Sequence, residues 1–226
     1  MNIALILSGG NGSRLGADIP KQYIEVNGKM TIFYCLEVFE NCKSISAIQI
    51  VADEYWHEAI RRNPLKKLRG FSAPGKTRQL SILNGLEDIR TYAEKDDLVI
   101  IHDAARPLVS LNQIESVIKA AKEHDGAIPV LPMKDTVYLS EHSGRITALL
   151  HREHVVAGQA PEGFKLEPYY KANKNLLPDQ IVKINGSTEP AILAGLNIVT
   201  IQGDEQNFKI TTKDYLTRFE EIISKR

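Results

Sequence analysis

A glycine-rich turn, Ser8-Gly9-Gly10-Asn11-Gly12-Ser13-Arg14-Leu15-Gly16, follows the first apolar run, where α/β proteins place phosphate-binding turns. Glycines let backbone N–H groups converge on an anion, and Arg14 adds a fixed positive charge beside them. Gly10 and Gly12 match the opening of G-x-G-x-x-G, but Leu15 occupies its third position, so this is not a dinucleotide fingerprint. Taken alone, the turn also reads as a tight structural bend. Pro20-Lys21-Gln22-Tyr23 comes soon after, and a second cation near Arg14 points to one polyanion held from two sides. His102-Asp103-Ala104-Ala105-Arg106-Pro107 ends the most apolar run. An Asp there suits Mg²⁺ against phosphate oxygens, and Arg106 suits a second phosphate. The same residues read equally as a turn-capping Asp with Arg106 as its salt-bridge partner.

Gly70-Phe71-Ser72-Ala73-Pro74-Gly75-Lys76-Thr77 fits the P-loop expression literally, and Leu98–Asp103 resembles a strand ending in a magnesium ligand. Three features oppose a P-loop NTPase or kinase. Lys66-Lys67-Leu68-Arg69 is a poor candidate for a central strand, two strand–helix units come first, and the Ser8–Gly16 turn is better placed. A nucleotide-binding module that has lost its chemistry is the remaining competitor, and the joint presence of Arg14, Lys21, Asp103 and Lys209 argues against it. No Ser-His-Asp or Cys-His set has a suggestive context, and the six His residues lack metal-ligand spacing. Trp56 with Tyr55, and the pair Tyr169-Tyr170, read as packing residues.

These groups need a frame to hold them. Ile3–Leu7, Ile45–Val51 and Leu98–Ile101 read as buried strands, alternating with helical periodicity over Met30–Phe39, Gln79–Tyr92 and Leu111–Glu123. Ser110 and Gln113 stand at capping-box spacing before the last of these. Ala127–Leu131, Asp135–Leu139 and Ile146–Leu150 then follow as strands without helices, with a turn at His142-Ser143-Gly144, which indicates an inserted arm. A helix over Leu166–Leu177, a strand over Asn197–Gln202 and a helix from Lys213 close the chain. The pattern predicts an α/β fold with a mostly parallel sheet, as one domain over 1–226 with an arm at about 135–158.

Composition fits that frame. Across 226 residues, 28 basic and 28 acidic side chains cancel, which argues against a nucleic-acid partner bound by bulk positive charge. Cys35 and Cys42 are too few for a disulfide framework or a four-ligand zinc site. With no run long enough to span a bilayer and a strand at the start, a cytoplasmic protein without a membrane partner is expected.

Jointly, these segments resemble the cytidylyltransferases acting on 2-C-methyl-D-erythritol 4-phosphate and their relatives acting on ribitol 5-phosphate. The matching segments are Gly9–Gly16, Pro20–Tyr23, the Arg78/Ser81/Asn84-Gly85-Leu86 helix start, His102–Pro107, Lys134-Asp135-Thr136, Gly158–Phe164 and Asn207–Thr212. They run in family order from residue 3 to about 216. The resemblance implies a Rossmann-like nucleotidyltransferase fold with a dimerising arm, CTP and Mg²⁺ as requirements, and a CDP-alcohol plus pyrophosphate as products. It implies that Arg14 and Lys21 stabilise the CTP phosphates, and that Ser8, Gly9, Gly10, Gly12 and Arg78 belong to the nucleotide site. Gly75 and Ser81 would face the cytosine, Ala104 the ribose, and Asp103 the metal. Arg152 and Lys209 would hold the acceptor phosphate, with Asp103, Arg106 and Thr188 also on the substrate.

Two segments depart from the methylerythritol pattern. Ala160-Pro161-Glu162 replaces Thr-Pro-Gln, and Asn185-Gly186-Ser187-Thr188-Glu189-Pro190 replaces the Thr-Asp-Asp/Glu segment that contacts acceptor hydroxyls. The expected acceptor is therefore a sugar-alcohol phosphate of the ribitol type, for surface polymers, with methylerythritol phosphate and isoprenoid precursors as the alternative.

Overall fold

The computed structural model describes residues 1–10, 19–141 and 144–225. The chain opens with β1 (Asn2–Leu7), a short hairpin of β2 (Glu25–Val26) and β3 (Lys29–Met30), and α1 (Thr31–Asn41). It continues through β4 (Ala47–Val51), α2 (His57–Arg61), β5 (Leu68–Ser72), α3 (Arg78–Ile89) and β6 (Leu98–Asp103). After α4 (Leu111–Glu123) come β7 (Gly126–Pro132), β8 (Val137–Ser140), β9 (Ile146–Leu150), β10 (Val156–Gly158) and β11 (Glu162–Lys165). The last elements are α5 (Leu166–Lys174), α6 (Glu189–Leu193), β12 (Ile198–Gln202) and α7 (Lys213–Ser224).

The main sheet runs β10-β7-β11-β6-β1-β4-β5, with β12 also pairing β7. Strands β6, β1, β4 and β5 are mutually parallel, and β11 is antiparallel to both β6 and β7. Both faces are covered, so successive residues of β1 enter different cores. Ala4 and Ile6 pack with Ile32 and Leu36 of α1 and Val117 of α4, while Ile3 and Leu5 pack with Ile82 and Leu86 of α3 and Tyr169 of α5. That is why the parallel strands read as continuous apolar runs. From β1 the chain winds outward to β4 and β5, then returns to β6 on the other side of β1. Ligands of open α/β sheets bind at the carboxyl ends beside such a reversal, here between Ser8–Gly10 and Asp103.

Several expectations need correction. The predicted arm strand at Ala127–Leu131 is β7, in the body sheet, and β10 rejoins that sheet as well; β8 and β9 alone form the separate hairpin. The predicted Leu166–Leu177 helix stops at Lys174. β5 is a strand the sequence pattern did not single out; it lies at the sheet edge, paired with β4, in keeping with Lys66–Arg69 being a poor candidate for a central strand. β10 and β11 carried no strand signal, because Glu-Gly-Phe-Lys contains no apolar run; β11 forms because β6 and β7 flank it. The turn positions His142 and Ser143 lie outside the described residues.

Among the described residues no helix is long and apolar enough to cross a membrane.

Candidate active site

The end of β1 is fastened by the segment that follows it. The Ser8 hydroxyl donates to the Tyr23 hydroxyl at 2.8 Å, and the Gln22 amide donates to the carbonyls of Ser8 and Gly10, each at 2.8 Å. Tyr23 stacks on Trp56 at 3.9 Å, and burial, opposed by the Ser8 bond, pushes its hydroxyl up to about 12. Gln22 and Tyr23 therefore turn inward as fasteners, which leaves Lys21 facing the cleft. A Cβ on Gly9 would meet Pro74 Cβ at 2.5 Å, so glycine lets this loop lie against residues 73–77.

Those residues lead into α3. Thr77 caps the helix, accepting the Leu80 N–H at 3.2 Å, and Gly75 donates its N–H to the Ser81 hydroxyl at 2.9 Å. A Cβ on Gly75 would lie 2.8 Å from the Leu80 carbonyl carbon, so this turn also requires glycine. The literal P-loop match does not form one, because Gly70–Ser72 are part of β5 itself.

Asp103 ends β6 and is surrounded by cations. Its Oδ1 accepts from Arg78 at 3.2 Å, while Oδ2 lies 3.0 Å from Lys209 and 3.5 Å from Arg106. Burial alone raises this carboxyl, but Arg78, Lys209 and Arg106 overcome that and hold it well below the usual carboxylate range. Arg78 sits against a second buried carboxylate, with Nη2 4.0 Å from Glu162. Burial opposes its charge, and the two carboxylates restore it. His102, just before, is fully buried; burial, against a bond to the Arg106 carbonyl, lowers it to about 4, so it is neutral near pH 7.

The three loops enclose a cleft of about 350 Å³. Gly9, Gly10 and Lys21 form one wall, Gly75, Lys76, Arg78 and Ser81 a second, and Asp103, Ala105 and Lys209 the floor. A larger, open recess of about 750 Å³ beside the β2–β3 hairpin, α1 and α7 holds none of these residues. Lys21, Lys76, Arg78 and Lys209, the four cationic side chains that line the cleft around the Asp103 carboxylate, suit a triphosphate and a second phosphate.

A family model described as 2-C-methyl-D-erythritol 4-phosphate cytidylyltransferase (IspD) matches residues 2–225. The chain belongs to that family. It is 31% identical to the ribitol-5-phosphate cytidylyltransferase of Streptococcus agalactiae serotype III, over 100% of this chain and 97% of that protein. It is 34% identical to the 2-C-methyl-D-erythritol 4-phosphate cytidylyltransferase of Clostridium perfringens, over 98% of each. The crystal structure of the Francisella tularensis 2-C-methyl-D-erythritol 4-phosphate cytidylyltransferase superposes with a TM-score of 0.83 at 27% identity, over 97% of this chain and 98% of that one. The protein is a CTP-dependent cytidylyltransferase acting on a sugar-alcohol phosphate.

Within this cytidylyltransferase the anticipated residues fall into groups. Gly9, Gly10, Lys21, Gly75, Arg78, Ser81, Asp103 and Lys209 meet at the cleft. Gly12 and Arg14 lie outside the described residues. The Ser8 hydroxyl donates to Tyr23, and Ser8 is not among the residues that line the cleft. Ala104 lies in the core, its N–H bonded to the Leu7 carbonyl, and Ala105 lines the cleft in its place. Arg106 is turned inward, donating to the Asn207 carbonyl at 2.7 Å and facing Asp103, which matches the salt-bridge reading of that motif. Thr188 donates its hydroxyl to Glu162 at 2.6 Å and so reaches the site through that carboxylate. Arg152 is exposed at the arm base, where it donates to the Lys134 carbonyl at 2.8 Å, away from this chain's own cleft wall. Sequence reasoning missed Glu162 as a site group; its substitution for Gln was visible, but its contact with Arg78 was not.

Proposed function

We propose that the enzyme transfers CMP from CTP to a ribitol-type polyol phosphate, giving a CDP-alcohol and pyrophosphate. The observation that carries the choice of acceptor is the turn before α6. Its Ser187 and Thr188 hydroxyls both bond Glu162, and no Asp pair stands there to receive acceptor hydroxyls. A tail with different hydroxyl spacing then meets different partners, while Lys209 and Arg152 remain for its phosphate.

In the reaction, an oxygen of the acceptor phosphate attacks the α-phosphorus of CTP in line; the new P–O bond forms as the bond to pyrophosphate breaks. The attacking oxygen is already anionic, so no protein nucleophile is needed. The buried thiol of Cys35, pushed up to about 12 chiefly by burial, offers no thiolate. Lys21, with Arg14, stabilises charge on the departing phosphates, Lys209 and Arg152 hold the acceptor, and Gly75 and Ser81 face the base. Positioning and charge neutralisation supply most of the rate.

Mg²⁺ fits Asp103 as a single protein carboxylate. Among the described residues no group of three or more His, Cys, Asp or Glu gathers; Mg²⁺ bound beside phosphates would need only one or two protein carboxylates, and Asp103 would supply one. When bound, the ion neutralises triphosphate charge. The working unit is a homodimer joined through the β8–β9 arms, in the cytoplasm, where CTP is made.

A CTP-dependent pyrophosphate-release assay over a panel of polyol phosphates tests this. Ribitol 5-phosphate is expected to give the highest kcat/KM, with no release when Mg²⁺ or acceptor is omitted. A kcat/KM for methylerythritol phosphate at least as high as for every polyol assigns the enzyme to isoprenoid precursors instead.

A further inference from the structure

Glu162 opens β11 with its side chain only 9% exposed. Both of its oxygens are taken by consecutive residues of one turn: Oε1 accepts from the Ser187 hydroxyl, and Oε2 from Thr188 at 2.6 Å. The Ser187 carbonyl accepts from the Tyr169 hydroxyl at 2.6 Å, and that hydroxyl accepts from Gln79 of α3 at 3.2 Å. On its other side the carboxylate faces Arg78, which reaches Asp103 in the cleft.

The geometry points to Glu162 as the positioning residue that fixes the Ser187-Thr188 turn relative to Arg78, and thereby sets which acceptor the enzyme prefers. This rests on the polyol-phosphate reading above. Glu162 does not line the cleft, so it acts through its neighbours. The turn begins four residues past a short 3₁₀ segment (Ile181–Lys183) and precedes a helix of only five residues, so no long element carries it. Two hydroxyl bonds to one buried carboxylate tie the turn to β11, and the charge of Arg78 makes burial of that carboxylate tolerable. A neutral amide at the same place accepts at one atom and donates at the other. One hydroxyl must then reverse its bond or lose it, and Arg78 loses its second anionic neighbour.

The test compares wild type, Glu162→Gln, Glu162→Ala and Thr188→Val by kcat and KM for CTP, ribitol 5-phosphate and methylerythritol phosphate. The expected result is a change of roughly 10- to 100-fold in the ratio of the two acceptors' kcat/KM for Glu162→Ala, the scale of losing a buried hydrogen-bond partner, and a smaller change for Glu162→Gln. KM for CTP stays unchanged, because Arg78 keeps Asp103. Glu162→Ala/Thr188→Val is expected to be no worse than Glu162→Ala alone, since Glu162→Ala already removes the bond that Thr188→Val breaks. An unchanged acceptor ratio in every variant overturns the proposal, as does a parallel rise in KM for CTP and acceptor. Should Glu162→Ala fail to fold, Glu162→Gln and Thr188→Val decide by the same ratio. A wild type that prefers methylerythritol phosphate refutes the polyol reading alone, and the variants' ratio still decides the role of Glu162.

Discussion

Asp103 faces three cations within 3.5 Å, and two lysines, Lys21 and Lys76, face the same cleft. The two lysines are not equivalent. Lys21 opens the short turn that carries the fasteners Gln22 and Tyr23 and lines the cleft with Gly9 and Gly10, which makes it the expected partner of the triphosphate. Lys21→Ala is expected to cost about 10²–10³ in kcat, the scale for removing one preorganised stabiliser of transition-state charge. Lys76→Ala, on the nucleotide-side loop, is expected to cost far less; steady-state kinetics showing the reverse ranking refutes the assignment. His102 gives a stability prediction instead. Its folded value, about 4, lies below its ordinary 6.5, so between those pH values the unfolded chain takes up a proton that the native chain refuses. This contribution is complete above pH 6.5 and lost as pH falls toward 4, amounting to about 3 kcal/mol for a shift of that size. Asp103, held far below its usual range, stays ionised across that window and adds no slope there. Denaturant titrations of His102→Asn at several pH values are expected to show a shallower decline than wild type, and parallel declines refute the cause.

At the scale of elements, legibility followed locality. The bounds Leu111–Glu123 of α4 were readable because Ser110 caps them, its hydroxyl accepting the Gln113 N–H at 3.2 Å. The reciprocal half of that capping box does not form, since the Gln113 side chain accepts instead from Asn207, 94 residues away. Nothing near Gln113 in sequence announces that partner. The β2–β3 hairpin shows the opposite case: Asn27 and Gly28 both have positive φ, 49° and 72°, and Asn-Gly is a hairpin signal that was present but unused. The cleft's motifs were each legible as sequence, whereas the Asp103–Lys209 and Glu162–Thr188 contacts required the fold. Gly85 offers an element-scale prediction. Within a helix, Gly→Ala ordinarily stabilises by up to ~1 kcal/mol. Here a Cβ would meet Leu5 Cδ1 at 2.4 Å inside the core between α3 and β1. Overpacking of that kind costs about 1–3 kcal/mol, so Gly85→Ala is expected to lower Tm despite its better helix propensity. A raised Tm would show that α3 has room to lift from the sheet.

On the scale of the molecule, the β8–β9 arm leaves large apolar side chains unburied. Tyr138 and Leu149 are cross-strand partners, yet they stand 53% and 64% exposed, and Leu139 and Ile146 are 54% and 59% exposed. A two-stranded hairpin alone is marginal in water, and one with large apolar side chains exposed on both faces is expected to be covered by a partner. A second copy would supply a matching surface by two-fold symmetry, since a self-complementary patch closes on itself. Sedimentation at micromolar concentration is expected to give a particle of twice 25.2 kDa, and Leu149→Asp to give a monomer. Arg152 sits at the base of this arm and does not line its own chain's cleft, and it is expected to serve the acceptor site of a neighbouring copy. Mixing separately inactive Arg152→Ala and Lys209→Ala chains tests that placement. In a mixed dimer one cleft then combines an intact Lys209 with the other chain's intact Arg152, and activity returns. If each chain uses its own Arg152, both clefts of the mixed dimer lack one cation, and activity stays at the level of the two parents.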